Sequence, residues 1–103
     1  MKRAISEKSM LVFNYIKEHD GENITSADIA DALDMATKSV DGTITAGLQR
    51  KGYTERVPAV IEVEDENGNT VAKNVKFIKL TAEGRSYDHQ AALAADAADA
   101  ANA

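Results

Sequence analysis

Residues Thr25 to Gly52, TSADIADALDMATKSVDGTITAGLQRKG, carry two helical patterns separated by a corner of only a few residues. Thr25 reads as an N-cap, and Asp28 completes a capping box in which each side chain serves the other's backbone N–H. Ile24 and Ile29 flank that box as a hydrophobic staple. Ile29, Ala30 and Leu33 then share one helical face, and Asp28, Asp31 and Asp34 line the opposite one. The second helix opens at Thr37, read as its N-cap, and repeats Val40, Ile44 and Leu48 at four-residue intervals. It stops at Gly52, behind Arg50 and Lys51. The connection Asp34-Met35-Ala36 admits only a sharp turn, and Asp34 is a residue able to take the left-handed backbone such a turn needs.

The flanking segments extend this unit. Ser6 reads as the N-cap of an earlier helix, with Ile5 and Met10 as its staple, running to about His19 before Asp20-Gly21 ends it. Val12, Phe13 and Ile16 form its apolar stripe, which Leu11 and Tyr15 widen; the extra width serves either the core or a second subunit. After Gly52, Tyr53 to Val63 is rich in Val, Ile and Tyr and reads as a strand. Tyr53, Val57, Ile61 and Val63 make its apolar face, and Thr54, Arg56, Glu62 and Glu64 its polar one. Pro58 marks an edge or a bulge. Glu66-Asn67-Gly68-Asn69 is a hairpin signal in which Asn-Gly would supply two positive φ angles, and Thr70 to Leu80 is the return strand. Three helices, a two-stranded wing hairpin and a C-terminal helix from Thr81 onward define an α+β fold, a winged helix-turn-helix, over residues 1–90. The Ala/Asp-rich tail, residues 91–103, reads as a frayed helix or a solvated extension, because alanine buries too little to dock it.

Ile29-Ala30, Leu33-Asp34-Met35, Lys38-Ser39-Val40, Ile44 and the run Leu48 to Tyr53 resemble the helix-turn-helix of winged-helix regulators of the MarR type. Leu80-Thr81-Ala82-Glu83-Gly84-Arg85 resembles the strand-to-helix junction after the wing in the same family. The resemblance spans roughly Val12 to Arg85 and is shared with small phage-encoded and bacterial proteins. It implies a DNA-binding regulator. Full-length members of the family dimerise through long terminal helices, so it also implies a homodimer through the first helix or the C-terminal segment.

Composition narrows the remaining classes. The chain has 103 residues, the length of one domain, with no cysteine for disulfides or thiolate metal sites. Met1 to Ser6 carries Lys2 and Arg3, but the helix behind it is interrupted by Asn14, Lys17 and Glu18, so no leader is expected; no apolar run approaches membrane-spanning length, and the expected location is cytoplasmic. His19 and His89 stand apart from any metal-ligand spacing, and no serine lies in a nucleophile motif. The Asp28, Asp31, Asp34 row is a solvated face, and Glu64-Asp65-Glu66-Asn67 lacks the alternating ligands of a cation loop. Neither an enzyme nor a cofactor is expected.

The net charge of −5 runs against a nucleic-acid partner, but much of the acid is local, at Asp96 and Asp99 in the tail and at Glu62, Glu64, Asp65 and Glu66 near the wing tip. If helix 37–51 lies in the major groove, its outward positions are Lys38, Ser39, Asp41, Gly42, Thr45 and Gln49, with Thr37 nearest the phosphates. Lys38 would reach a guanine edge or a phosphate, Gln49 adenine, and Thr45 a thymine methyl. Asp41 would accept from a cytosine amino group or repel phosphate. Gly42 leaves room either for DNA or for close helix packing, whereas Gly47 reads as a packing glycine. Arg50, Lys51 and Arg56 beside the helix, with Lys73, Lys76 and Lys79 along the wing, are the candidate phosphate ligands. The acidic tip keeps two functions open. One is a sequence-specific regulator that reads double-stranded DNA; the other is a winged helix that binds a host or replication protein.

Overall fold

Local capping sets the start of most helices. The computed structural model describes residues 3–101, so Lys2 and the end of the expected tail, Asn102 and Ala103, lie outside the described residues. Helix α1 (Glu7–Glu18) starts where the Ser6 hydroxyl accepts from Ser9 N–H at 3.3 Å, and Ile5 is buried beside it. Helix α2 (Ser26–Leu33) carries the complete Thr25–Asp28 capping box, with both hydrogen bonds present. It ends on Asp34, whose φ of 53° and ψ of 50° are left-handed, as the short corner requires.

Helix α3 (Thr37–Thr43) departs from expectation at both ends. Its N-cap is Ala36, not Thr37, and no side chain caps it, so Thr37 occupies the first helical turn with its hydroxyl free of that duty. Past Thr43 the backbone widens into a π-helical turn, Ile44–Gln49, in which Arg50 N–H donates to Thr45 O at 3.2 Å. Such insertions cluster at functional sites. Gly47 lies in this turn with its backbone against Ser9, whose hydroxyl occupies the space a β-carbon would need, so the packing expectation holds. Around Gly42 the same space is open, which removes close helix packing as its explanation.

The core lies between the three helices and the base of the hairpin. Val12, Phe13 and Ile16 of α1, Ile29 of α2, and Val40, Ile44 and Leu48 meet with no more than 1% of their surface exposed. Each such side chain stabilises the fold by about 1.5–3 kcal/mol through burial. Strands β1 (Thr54–Glu64) and β2 (Thr70–Leu80) pair antiparallel in unbroken register from Thr54 opposite Leu80 to Glu64 opposite Thr70. Pro58 therefore marks an edge and not a bulge. At the base of the hairpin the face of β1 that meets the core carries Thr54 and Arg56 and not Val57. Ile78 and Leu80 are the buried residues of β2, and their partners Arg56 and Thr54 point the same way, while Val57 is 39% exposed. At the base β2, not β1, supplies the hydrophobic anchors, so Val57 is left on the outer face, while Tyr53 at the start of the row packs against the core.

The hairpin projects, giving the molecule an extent of 61 × 25 × 21 Å. Its turn is closed by Asp65: Gly68 N–H donates to Asp65 O, and the Asp65 carboxylate accepts from Asn67 and Asn69 N–H, each at 2.9 Å. Only Gly68 there has positive φ, 78°, so the turn differs from the expected Asn-Gly pair of left-handed residues.

After β2, Thr81 caps the short helix α4 (Ala82–Arg85), and a longer helix α5 (His89–Ala101) follows, opened by Asp88 accepting from Ala91 N–H. Of the two readings of the tail, a helix and a solvated extension, the described residues form the helix, which runs from His89 to Ala101. Alanine propensity forms the helix; polar contacts dock it, since it buries little beyond Ala92. The Asp96 carboxylate accepts from the Arg3 and Ala4 N–H groups at 2.8 and 2.9 Å. Those two bonds hold its pKa below the ordinary 3.8. A carboxylate depressed in the folded state adds stability above its unfolded pKa and loses it as pH falls through the folded value. Asp96→Asn is therefore expected to be less stable than the wild type at pH 7, with the gap closing as urea unfolding is repeated at acid pH.

Candidate nucleic-acid interface

Burial of Val40, Ile44 and Leu48 fixes which residues the second helix of the pair presents outward. The exposed side divides into two flanks. Thr37, Asp41, Thr45 and Gln49 recur every four residues and look across a groove at Arg56, Pro58, Lys73 and Lys76 of the hairpin. Lys38, Gly42 and Ala46 look the other way, into a second groove bounded by Ala4 to Ser9 and by Leu93 of α5. Ser39 is half-buried on that second side, so it is less accessible than its sequence position suggested.

The hairpin and the helix are joined by a polar bracket. The Arg56 guanidinium donates to Gln49 Oε1, to Asp41 O at 3.2 Å and to Asp41 Oδ1 at 3.4 Å. Ser26 of α2 donates its hydroxyl to the same Asp41 Oδ1. The Arg56 side chain is only 17% exposed, because it lies on the core-facing side of β1. Arg56 is thus an internal strut and not an open phosphate ligand. Asp41, the awkward acid of the sequence, has its charge compensated by that strut. Ser26 is the member that sequence reasoning missed; as the residue after an N-cap it carries no signal of a partner fifteen residues away.

Other expected cations are also engaged. Lys51 Nζ donates to Ala4 O at 2.9 Å, fastening the N-terminal segment. Lys79 Nζ donates to Glu22 O at 2.7 Å and to Asn23 Oδ1 at 2.9 Å. Lys38, Arg50, Lys73 and Lys76 are exposed and make no hydrogen bond or ion pair among the described residues. Lys76 shares the Arg56 face of the hairpin, Lys73 lies on the opposite face at the rim of the same groove, Lys38 borders the second groove, and Arg50 stands at the end of the helix. Glu64, Asp65 and Glu66 stand apart, exposed at the far tip.

Comparison with solved structures is made over 94% of this chain. It is similar to MepR, described as a transcription regulator of the Staphylococcus aureus multidrug efflux pump MepA, with a TM-score of 0.57 and 21% identity. A point mutant of S. aureus MepR aligns with a TM-score of 0.59 and 22% identity. The fold is a winged helix-turn-helix. This is the architecture that the MarR-type resemblance led us to expect, with α2 and α3 as the helix-turn-helix and β1 and β2 as the wing. The chain spans 62% of the length of those structures. Comparison with protein-family models and with curated proteins gives no match. Among the described residues no helix is long and apolar enough to cross a membrane, and no group of His, Cys, Asp or Glu is arranged to hold a metal ion.

Proposed function

We propose that this winged helix is a sequence-specific double-stranded DNA-binding transcriptional regulator that lays the helix beginning at Thr37 in the major groove. The observation that carries the reading is the exposed row Thr37, Thr45 and Gln49, which faces Lys73 and Lys76 of the wing across a groove, with Lys38 exposed on the other flank of the helix and Arg50 exposed at its end. Base edges are addressed by the helix, and phosphates by the exposed cations. Arg56 and Lys51 serve this face by holding it together, each through its own internal hydrogen bonds. A cytoplasmic site of action goes with this reading. So does a homodimer, supported by Leu11 on α1 and Leu93 on α5, which are 60% and 45% exposed.

The observation favouring the second reading, a protein-binding module, is the outer face of the wing. Val57 and Val71 are exposed there beside half-buried Val75 and Phe77, next to an acidic tip.

The DNA reading predicts that Lys38→Ala with Thr45→Ala removes sequence preference, at about 1–3 kcal/mol per lost base contact. Both side chains are exposed, so the melting temperature should move little. Fluorescence anisotropy with specific and scrambled duplexes, paired with a thermal melt, checks this. Loss of folding in step with loss of binding would show that the two residues are structural.

A further inference from the structure

The bracket around Arg56 does more than join wing to helix: it fixes which hydrogen-bonding group Gln49 can offer. A guanidinium has donors only, so the Gln49 atom that meets it must be the carbonyl oxygen. The carboxamide is thereby oriented without ambiguity, with its NH2 group directed away from Arg56. Arg56 cannot easily swing aside, because its other nitrogen is held by Asp41, which Ser26 holds in turn. Gln49 itself remains exposed, beside Thr45, Pro58 and Lys76.

We infer that Gln49 reads chiefly as a donor, selecting a base edge that presents acceptors in the major groove, and that Arg56 is the positioning residue that makes it so. The inference rests on the DNA-reading function proposed above. An unrestrained glutamine pairs with adenine by accepting from N6 and donating to N7. Oε1 keeps a second lone pair, but an adenine amino group approaching it meets the arginine's positive charge, so the accepting half of that pair is weakened and adenine is left with N7 alone for the donor. Guanine presents N7 and O6, both acceptors, and thymine presents O4. The helix position that sequence alone would assign to adenine is therefore turned to guanine or thymine by a residue on the wing.

The test is selection from a pool of random duplex DNA with four proteins: the wild type, Gln49→Ala, Gln49→Glu and Arg56→Met. The wild type should enrich guanine or thymine at one position of its site, and Gln49→Ala should erase preference at that position alone, by roughly tenfold. Gln49→Glu, which has acceptors only, should lose guanine and thymine there and gain cytosine or adenine. Arg56→Met should admit adenine at the same position, again by about tenfold. Because Gln49→Glu leaves Arg56 its ion partner, that arm stands even where the methionine variant folds poorly. Wild-type enrichment of adenine at the Gln49-dependent position overturns the inference while leaving DNA reading intact. So does an unchanged base preference in both Gln49→Glu and Arg56→Met. Retention of no duplex by any of the four proteins overturns the inference together with the function on which it rests.

Discussion

Phe13→Ala is expected to lower the unfolding free energy by about 3–5 kcal/mol, a large share of the 5–15 kcal/mol typical of a domain. Phe13 is fully buried and stands at the centre of an aromatic cluster. Its ring meets Tyr87 edge-on at 5.3 Å and Tyr53 at 6.3 Å, and the two tyrosines lie 4.8 Å apart. Their hydroxyls in turn fasten the N-terminal segment: Tyr53 donates to Arg3 O at 2.7 Å, and Tyr87 accepts from Ile5 N–H at 2.9 Å. Removing the phenyl ring leaves a cavity and also withdraws support from both tyrosines. Urea unfolding followed by circular dichroism measures the loss directly. A change below 1 kcal/mol would mean that the cluster collapses around the gap and does not tie α1 to the segments after Gly52 and Gly84.

Gly84→Ala should cost about 2–3 kcal/mol, although alanine is favoured over glycine by about 1 kcal/mol in an unconstrained helix. The sign is decided by space. Gly84 is buried in α4, and a β-carbon built on it would run into the Tyr53 carbonyl oxygen and come within 3.2 Å of Leu80 Cδ2. The Tyr53 oxygen already accepts from Thr81 N–H at 3.1 Å, so yielding would break the junction between wing and α4. Differential scanning calorimetry provides the check; a variant as stable as the wild type would show that the junction can shift without loss.

What the sequence made legible is what depends on neighbours within one or two turns. The Ser6 cap, the Thr25–Asp28 box, the left-handed Asp34 and the stops at Gly21 and Gly52 are each written in residues three or four apart, and each is in place. The packing role of Gly47 was readable for a related reason, since a glycine inside a helix needs a neighbour that comes close. Long-range choices were not readable. The face of β1 that meets the core depends on Ile78 and Leu80 across the sheet, and those partners override β1's own alternation. The docking of α5 rests on Asp96 and backbone groups more than ninety residues away, which no local pattern encodes.

The candidate interface divides along the same line. That Lys38, Thr45 and Gln49 are exposed followed from the Val40, Ile44, Leu48 repeat. That Arg56 and Lys51 are occupied, while Arg50, Lys73 and Lys76 stay open, depended on tertiary partners. A count of basic residues therefore overstated the number of open cations and understated how firmly the exposed helix is held to the wing.

Binding of double-stranded DNA by the helix and wing, proposed above, is tested most directly by the affinity for random-sequence duplex at a series of salt concentrations. Each phosphate contact contributes about −0.9 to the slope of log affinity against log salt. With Lys38, Arg50, Lys73 and Lys76 as the open cations, the slope should be roughly −3 to −4 for one copy of the chain and twice that for a dimer. Arg50→Ala and Lys76→Ala should each make it shallower by about one unit. Absence of binding at low salt, or binding with a slope near zero, would contradict the claim and turn attention to a protein partner for the outer face of the wing.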